Sequence, residues 1–242
     1  FNFGPDFRYY RNGTFRNEES ISSEGKNRAS LSNQSDFSWT LDNLIYYDKE
    51  FGKHSVGLTL LQSATGYHYE ESSMAAEGIP LESAKWNALS KENVSLLDEW
   101  NSGLIEKQLL SYMFRVNYDY NNKYLLTVSG RWDGASQLAE GNKWAFFPSA
   151  ALGWRLDQEE FLKDVTWLNQ LKFRLGVGVT GNSAIDPYQT KGAIVSLYYP
   201  FGSALAPGYA ASEPLIKDGA VAMANKNLSW EKTTQYNIGL DY

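Results

Sequence analysis

Apolar and polar side chains alternate along residues 109–136, LLSYMFRVNYDYNNKYLLTVSGRWDGAS. Two runs of this period-2 pattern are separated by Asn121 and Asn122, which is typical of two antiparallel strands joined by a tight turn. The segment therefore predicts a hairpin with one apolar and one polar face. The large residues of the apolar face are Tyr112, Phe114, Val116, Tyr118, Tyr120, Tyr124, Leu126, Val128 and Trp132.

The register of this hairpin follows from the rule that directly opposed residues share a face of the sheet. A two-residue turn would place Arg115 opposite Val128, and so would set a charged side chain against an apolar one. A three-residue loop over 121–123 places Val116 opposite Val128 instead. We therefore predict the three-residue loop, with its second or third residue in the left-handed conformation.

The same two-faced alternation recurs along the rest of the chain. It predicts strands over 36–47, 55–69, 147–156, 171–180 and 229–242, with a less regular opening strand near residues 1–15. Residues 16–35 are polar and are expected to form a loop. Short connections are expected at 48–54, 121–122 and 157–168, the last with one helical turn, and longer ones at 70–107, 134–146 and 181–228.

Short turns that alternate with long loops are typical of transmembrane β-barrels. The placement of charge agrees, because the charged residues of the strands fall on the polar face, whereas a Lys or Arg facing lipid at mid-bilayer costs about 2–4 kcal/mol. Lys232 is the exception, near the long-loop end of its strand, where the cost falls to about 0–1 kcal/mol. A half-exposed soluble sheet also sorts its charges. A soluble β-rich carbohydrate-binding module and a secreted β-sandwich enzyme are therefore kept as alternatives.

Composition limits the function further. The chain has 242 residues, a net charge of −6 and a pI near 5.1, which argues against nucleic acid as a partner. It has no cysteine, so disulfide and thiolate chemistry are excluded. The 16 Tyr, 12 Phe and 8 Trp residues suit the aromatic belts of a membrane protein. No run approaches the roughly 18 apolar residues of a transmembrane helix.

Several motifs that could carry chemistry have simpler interpretations. The run GVGVTG at 176–181 matches a dinucleotide-binding pattern, but no helical period follows it, so it is interpreted as part of a strand. His54 and His68 are the two histidines, and they lie too far apart along one strand to share a metal. Glu70-Glu71 and Glu159-Glu160 are interpreted as solvated charges in loops or turns. We therefore expect no catalytic residue, no cofactor and no metal site.

The polar cluster RWDGAS at 131–136 has two interpretations. Arg131 and Asp133 either pair at the rim of a lumen and shape a substrate path, or they form an ion pair of modest worth beside a strand-terminating Asp-Gly turn. The second interpretation is favoured.

Four successive segments resemble barrel segments of the SusC/RagA-type TonB-dependent transporters of Bacteroidetes outer membranes. They are LLSYMFRVNYDYNNKYLLTVSGRWDGAS, KWAFFPSAALGWRL, LKFRLGVGVTGNSAIDPYQT and NLSWEKTTQYNIGLDY, and they cover residues 109–242. The resemblance implies an all-β, antiparallel transmembrane barrel of about 22 strands with a plugged lumen. The 242 residues hold about eight such strands, so residues 1–242 are expected to be part of that barrel, with the plug and the remaining strands elsewhere. An eight-stranded barrel that closes on itself is the less favoured alternative.

The resemblance also implies a function. A SusC-like protein imports oligosaccharides or peptides across the outer membrane, with TonB acting on the plug and a SusD-like lipoprotein docking on the long outer loops. Membrane lipid surrounds the barrel. On this interpretation the polar face of the strands lines the lumen. The candidate lumen residues are Arg115, Asn117, Arg131, Asp133, Lys172 and Arg174.

Overall fold

A computed structural model describes residues 1–90, 96–162, 165, 167–191, 193–201, 204–213, 215–217, 220–222 and 225–242. Strands dominate this part of the chain, and short 3-10 turns at Ile21–Ser23, Glu82–Asn87, Leu156–Gln158 and Glu160–Leu162 lie between them. The strands are β1 (Asn2–Arg16), β2 (Arg28–Phe51), β3 (His54–Glu77), β4 (Leu96–Tyr120), β5 (Tyr124–Ala135), β6 (Trp144–Arg155), β7 (Lys172–Asn182), β8 (Ala193–Phe201), β9 (Ala204–Glu213), β10 (Leu215–Lys217), β11 (Ala220–Ala222) and β12 (Glu231–Asp241).

Eight of the described strands form one sheet in the order β1-β2-β3-β4-β5-β6-β7-β12. Strands that are adjacent in this sheet follow one another in sequence, apart from β7 and β12. The connection between β7 and β12 contains two small sheets, β8-β9 and β10-β11. The order ends at β1 on one side and at β12 on the other. The all-β antiparallel fold predicted from the alternation is confirmed.

The residues group into two compact units. The first contains Phe1–Asn2, Leu41–Ala64 and Gln108–Tyr242, and the second contains Phe3–Thr40 and Thr65–Lys107. The first unit therefore holds the halves of β2, β3 and β4 that lie next to the β2-β3 and β4-β5 turns. It also holds β5, β6, β7 and β12. All of the paired register described below belongs to this first unit.

The register predicted for the β4-β5 hairpin is confirmed. Val116 lies opposite Val128, and the three-residue loop 121–123 joins the strands. The Lys123 amide donates to the Tyr120 carbonyl at 3.0 Å. Asn122 has the left-handed conformation that was expected of one loop residue (φ 55°), and Asn121 has it as well (φ 54°). Asparagine tolerates this conformation better than most residues, which explains the Asn-Asn pair at the turn.

The alternation is continuous across five neighbouring strands of the first unit. One row of directly paired residues joins Val116, Val128, Ala150, Val177 and Tyr236. The row beside it joins polar or small residues, because opposed residues on adjacent strands share a face. That row contains Asn117, Thr127, Ala151, Gly176 and Asn237.

Three strands are much longer than the alternation indicated. β2 and β3 have 24 residues each, and β4 has 25. The prediction of a loop over 16–35 is wrong from Arg28 onward, and the prediction of a loop over 70–107 is wrong for the end of β3 and the start of β4. The connection between β3 and β4 is 78–95, of which 91–95 lie outside the described residues.

Buried side chains concentrate at the ends of strands that lead into the longer connections. In the first unit, Leu138 and Ala139 in the β5-β6 connection are 2% and 3% exposed. The Ala139 amide donates to the Leu228 carbonyl at 3.1 Å, and the Trp230 indole N–H donates to the Lys143 carbonyl at 2.8 Å. These bonds hold the β5-β6 connection against the segment that precedes β12.

The second unit has its own buried cluster around Asn27 and Glu77. The Asn27 side-chain amide donates to the Ile79 carbonyl at 3.0 Å, and Ile79 is 2% exposed. The Glu77 carboxylate, whose side chain is 9% exposed, lies 2.6 Å from Lys26 Nζ and 3.4 Å from an Arg28 nitrogen. The hydrogen bond from Lys26 holds the pKa of Glu77 below its ordinary value. The β1-β2 connection is thereby fixed to the end of β3.

Candidate functional site

The apolar face of the first unit is uncharged between two aromatic rows. One row lies beside the short turns, where Tyr124 stacks on Trp154 with ring centroids 6.4 Å apart. The other lies at the opposite strand ends, where Trp132 meets Trp144 edge to face at 5.4 Å. Trp144 and Trp154 stand near the two ends of β6, roughly 33 Å apart at ~3.3 Å per residue. With a strand tilt of about 40° this spans roughly 25 Å, the height of the apolar band of an outer-membrane barrel.

No second layer built from the described residues covers the side chains between the aromatic rows. Val177 is 42% exposed and Ile238 is 75% exposed, although both sit in paired strands. Phe114, Val128, Leu175 and Leu240 are exposed in the same way, and Val116 and Leu126 are partly exposed. In the part of the chain that the structure describes, none of these eight side chains is packed under a second sheet or a helix layer.

Glycines on this face lie beneath aromatic rings. Gly134 pairs with Trp144, and a Cβ on Gly134 would lie 2.6 Å from the indole ring. Gly130 lies between Phe114 and Phe146, each 2.6 Å from the position of a Cβ. The rings therefore occupy the space that a side chain at either glycine would need, and they keep the face closed.

The opposite face carries all six candidate lumen residues. The register puts Arg115, Asn117, Arg131, Asp133, Lys172 and Arg174 on it. Their shared face is observed, and the assignment of that face to a lumen stays a prediction. Gly176 and Gly178, from the run that resembles a nucleotide motif, lie on this face within strand β7.

Hydrogen bonds fix several of these polar side chains. Asn117 accepts from the Thr127 hydroxyl at 3.0 Å, and Arg174 lies 2.7 Å from Asp241. In the part of the chain that the structure describes, the Arg115 guanidinium and the Lys172 ammonium have no side-chain partner. They are the cations that this face can offer to a ligand.

A shallow depression of about 540 Å³ lies on the polar face. Its lining includes the small residues Gly57, Gly153 and Gly176, the amides Asn117 and Asn237, and Lys172. The depression therefore offers amide, hydroxyl and ammonium groups to a polar molecule.

Arg131 and Asp133 pair as expected. Arg131 Nε lies 2.7 Å and 2.9 Å from the two Asp133 oxygens, and the guanidinium also donates to the Ser111 hydroxyl at 3.0 Å. Asp133 is 8% exposed and Ser111 is 1% exposed. The favoured interpretation of Asp133-Gly134 as a strand-terminating turn is wrong, because β5 continues to Ala135 while Trp144 covers Gly134.

A second polar network lies at the short turns and was missed in the sequence. The Glu159 carboxylate accepts hydrogen bonds from the Tyr124 hydroxyl at 2.7 Å and from the Trp154 indole at 3.0 Å, and Lys123 Nζ lies 3.3 Å away. These bonds, led by the one from Tyr124, lower the pKa of Glu159. The Glu159 side chain is 15% exposed, so its interpretation as a solvated charge is wrong. No sequence motif marks it.

Asp157 closes the same connection between β6 and β7. Its burial raises the carboxyl pKa, but hydrogen bonds from Arg155, Gln158 and the Leu171 amide outweigh burial and bring the pKa to about 2. The Asp157 side chain is 3% exposed. The 3-10 turns at Leu156–Gln158 and Glu160–Leu162 confirm the expected helical turn in this connection.

The two histidines occupy different surroundings. His54 lies at the β2-β3 turn, where its Nδ1 is 2.7 Å from the Tyr118 hydroxyl. In the second unit, His68 lies 3.1 Å from Glu106 and 3.1 Å from Glu70, and these two hydrogen bonds raise its pKa. Glu70 and Glu71 lie in strand β3 rather than in the expected loop.

The described residues contain no group of three or more His, Cys, Asp or Glu side chains that could hold a metal ion. In that same part of the chain, no helix has the length and the apolar character that a helical membrane span requires.

The sequence profile of the family described as "TonB dependent receptor-like, beta-barrel" matches residues 1–242. The chain belongs to this family. Among relatives, it is 40% identical over 167 residues to TonB-dependent receptor SusC of Bacteroides thetaiotaomicron, an alignment that covers 65% of the chain and 15% of SusC. It is 34% identical over 203 residues to TonB-dependent receptor P3 of Formosa agariphila, which covers 83% of the chain and 19% of that receptor.

Solved structures support the same fold. The RagAB peptide importer in its open-open state matches with a TM-score of 0.83 and 22% identity, over 98% of the chain and 25% of the matched structure. The closed-closed state of that importer matches with a TM-score of 0.80. The chain thus spans a quarter or less of the length of these proteins.

Membership of the family assigns the chain to the bacterial outer membrane, where TonB-dependent receptors reside. The family consists of transporters rather than enzymes. The apolar band between the two aromatic rows is therefore the surface that meets lipid, and the alternative of a soluble carbohydrate-binding module is not supported.

Proposed function

We propose that this chain forms about eight strands of the barrel wall of a SusC-like importer. The observation that carries the proposal is the opposite chemistry of the two faces, with an uncharged band outside and a continuous polar surface across five strands inside. A transporter wall needs both properties at once, because lipid excludes charge and a hydrated passage requires polar groups. The remaining strands and a plug lie elsewhere in a longer polypeptide. The remaining strands pair with the sheet edges at β1 and β12.

The cargo of this importer is an oligosaccharide or a peptide. The relative SusC and the peptide importer RagAB support these two classes. Arg115 and Lys172 face the passage as unpaired cations, and Asn117, Thr127 and Asn237 supply hydrogen-bonding groups. TonB acts on the plug to drive the transport. A SusD-like lipoprotein docks on the long connections 78–95 and 183–230.

Uptake by the full-length protein tests the proposal. A deletion strain should lose uptake of either a labelled oligosaccharide or a labelled peptide, and the wild-type gene should restore it. Arg115→Ala combined with Lys172→Ala should reduce uptake several-fold while the barrel still reaches the outer membrane. The matched control is Tyr236→Ala combined with Val177→Ala on the lipid-facing side, which should leave uptake near wild type.

Two results would contradict the proposal. Unchanged uptake of both cargo classes in the deletion strain would show that the protein is not their importer. Equal uptake by the polar-face variant and the wild type would show that this face does not line the passage. Purification of the full-length protein from its native membrane should also recover a surface lipoprotein in stoichiometric amount, and recovery without one would contradict the proposed partner.

A further inference from the structure

A groove of about 460 Å³ runs along the lipid-facing side of the first unit. Its walls are hydrocarbon, supplied by Ile45 on β2, Leu60 on β3, Phe114 on β4 and Phe146 on β6. Gly130 lies at the floor of the groove, where the Phe114 and Phe146 rings close over it.

Residues with polar side chains lie toward one end of the groove, although the surface exposed inside the groove is almost wholly apolar. Asn43 donates to Gln62 through a side-chain hydrogen bond of 2.5 Å, and both amides line the groove. Tyr112 and Trp132, which are paired across β4 and β5, line the same end. Within the described residues, the Tyr112 hydroxyl and the Trp132 indole N–H have no hydrogen-bond partner, so both are free to bond to a ligand.

The polar end lies on the side of the longer connections. In the β4-β5 hairpin the Tyr112–Trp132 pair is farther from the turn than the Phe114–Gly130 pair. Along β2 and β3, Asn43 and Gln62 are likewise farther from their turn than Ile45 and Leu60 are. The residues that carry polar groups thus lie at the aromatic row, and the groove extends from them toward the middle of the band.

We propose that this groove binds one membrane lipid, with an acyl chain along Ile45, Leu60 and Phe114 and the headgroup at Tyr112 and Trp132. Continuity with the lipid-facing band identifies the occupant, since the surface is already in contact with the bilayer. The position of Tyr112 and Trp132 at one end matches a lipid of the leaflet on the side of the longer connections. An aromatic residue with a polar tip suits this boundary between headgroups and hydrocarbon.

The source of affinity is packing and hydrogen bonding rather than the hydrophobic effect. An acyl chain is already in hydrocarbon when it lies in the bilayer, so moving it into the groove releases little additional water. What the groove adds is contact on several sides at once and donors that the headgroup accepts. A lipid held in this way should exchange more slowly than the lipids around it and should resist extraction by detergent.

Native mass spectrometry of the full-length protein in a mild detergent tests the site, with the protein's own membrane lipids as the probe. The wild type should retain one lipid. Ile45→Trp fills the groove and should lower the retained fraction about tenfold. Val177→Trp, on the same band but outside the groove, is the control and should retain the lipid. A heat-modifiable mobility shift confirms that each variant is folded, and Leu60→Phe serves as a second filling variant.

The polar end is tested separately. Tyr112→Phe removes one hydroxyl and should weaken retention about fivefold, whereas Tyr236→Phe outside the groove should not. The proposal is overturned if the wild type retains no lipid, or if folded Ile45→Trp and Leu60→Phe proteins retain it as well as the wild type does. It is also overturned if the retained acyl chain proves to be the covalent anchor of a lipoprotein. Loss of transport with the lipid still retained would bear on the proposed importer function and would leave the lipid site supported.

Discussion

Val116 and Val128 face each other across the β4-β5 hairpin, and both point out of the lipid-facing side. This pairing requires a three-residue loop, because a two-residue loop would oppose Val116 to Thr127 and reverse the faces of one strand. The loop over 121–123 therefore determines which side of both strands meets lipid.

Cysteine pairs check that register directly, since the chain has no cysteine of its own. Val116→Cys combined with Val128→Cys should form a disulfide readily, because directly opposed Cα atoms lie about 4.5–5.5 Å apart, within disulfide reach. Val116→Cys combined with Thr127→Cys should not, because those Cβ atoms point to opposite faces. Non-reducing mobility of the full-length protein reports the bond, and cross-linking of the second pair in preference to the first would disprove the register.

A charge on the lipid-facing side should cost more than the same charge on the polar face. Val128→Arg puts a guanidinium near mid-band, and we expect a loss of about 2–4 kcal/mol in the free energy of unfolding. Thr127→Arg, the neighbouring residue on the polar face, should cost much less. Denaturant unfolding of both variants in lipid vesicles gives the comparison, and equal costs would show that the two faces have been assigned wrongly.

Two glycines should respond differently to substitution by alanine. At Gly134 the new Cβ would lie 2.6 Å from the Trp144 ring, so the ring must move, and Gly134→Ala should destabilise by about 1–3 kcal/mol. At Gly176 the atoms nearest to an added Cβ lie 3.8 Å and 3.9 Å from it, which is ordinary van der Waals contact. Gly176→Ala should therefore be neutral, or should stabilise by about 0.4–1 kcal/mol through reduced freedom of the unfolded chain. Unfolding midpoints at fixed lipid composition measure both.

Asp157 should make stability depend on acid pH. Its folded-state pKa of about 2 is below the ordinary value of 3.8, so its contribution is present above pH 3.8 and is lost as the pH falls toward 2. Asp157→Asn should therefore lower the unfolding midpoint at pH 6, and its difference from the wild type should shrink as the pH falls from about 4 to 2. Asp186→Asn is a suitable control, since that carboxylate has no hydrogen-bond partner in the described part of the chain. A difference for Asp157→Asn that stayed constant with pH would contradict the assignment.

Sequence alone was most informative where lipid constrains the chain. Between the aromatic rows, opposed residues must agree in polarity. Val128 must therefore lie opposite Val116 rather than Arg115, and this alone was sufficient to choose between two loop lengths. The same rule placed all six candidate lumen residues on one face. These predictions depend on a period of two, which a membrane-facing sheet cannot violate without a large cost.

Sequence was least informative where that constraint is absent. The parts of β2, β3 and β4 beyond the length of a membrane crossing include RASLSNQS at 28–35 and EESSMAAE at 70–77, which show no clean alternation. A strand that need not separate lipid from water can carry polar residues on both faces. Contacts such as Glu159 with Tyr124 were also unpredictable, because they join residues far apart in sequence through side-chain geometry that no short motif records.

Successive side chains of β5, β6 and β7 alternate between the two faces of the sheet without interruption over the paired rows. A substitution changes one position on one face, but a single-residue deletion inside β5 would exchange the environments of every residue between the deletion and the next turn. Val128 would then face water and Thr127 would face lipid. Insertions and deletions should therefore survive almost exclusively in the connections, and length variation among natural variants of this protein should map the membrane boundary residue by residue.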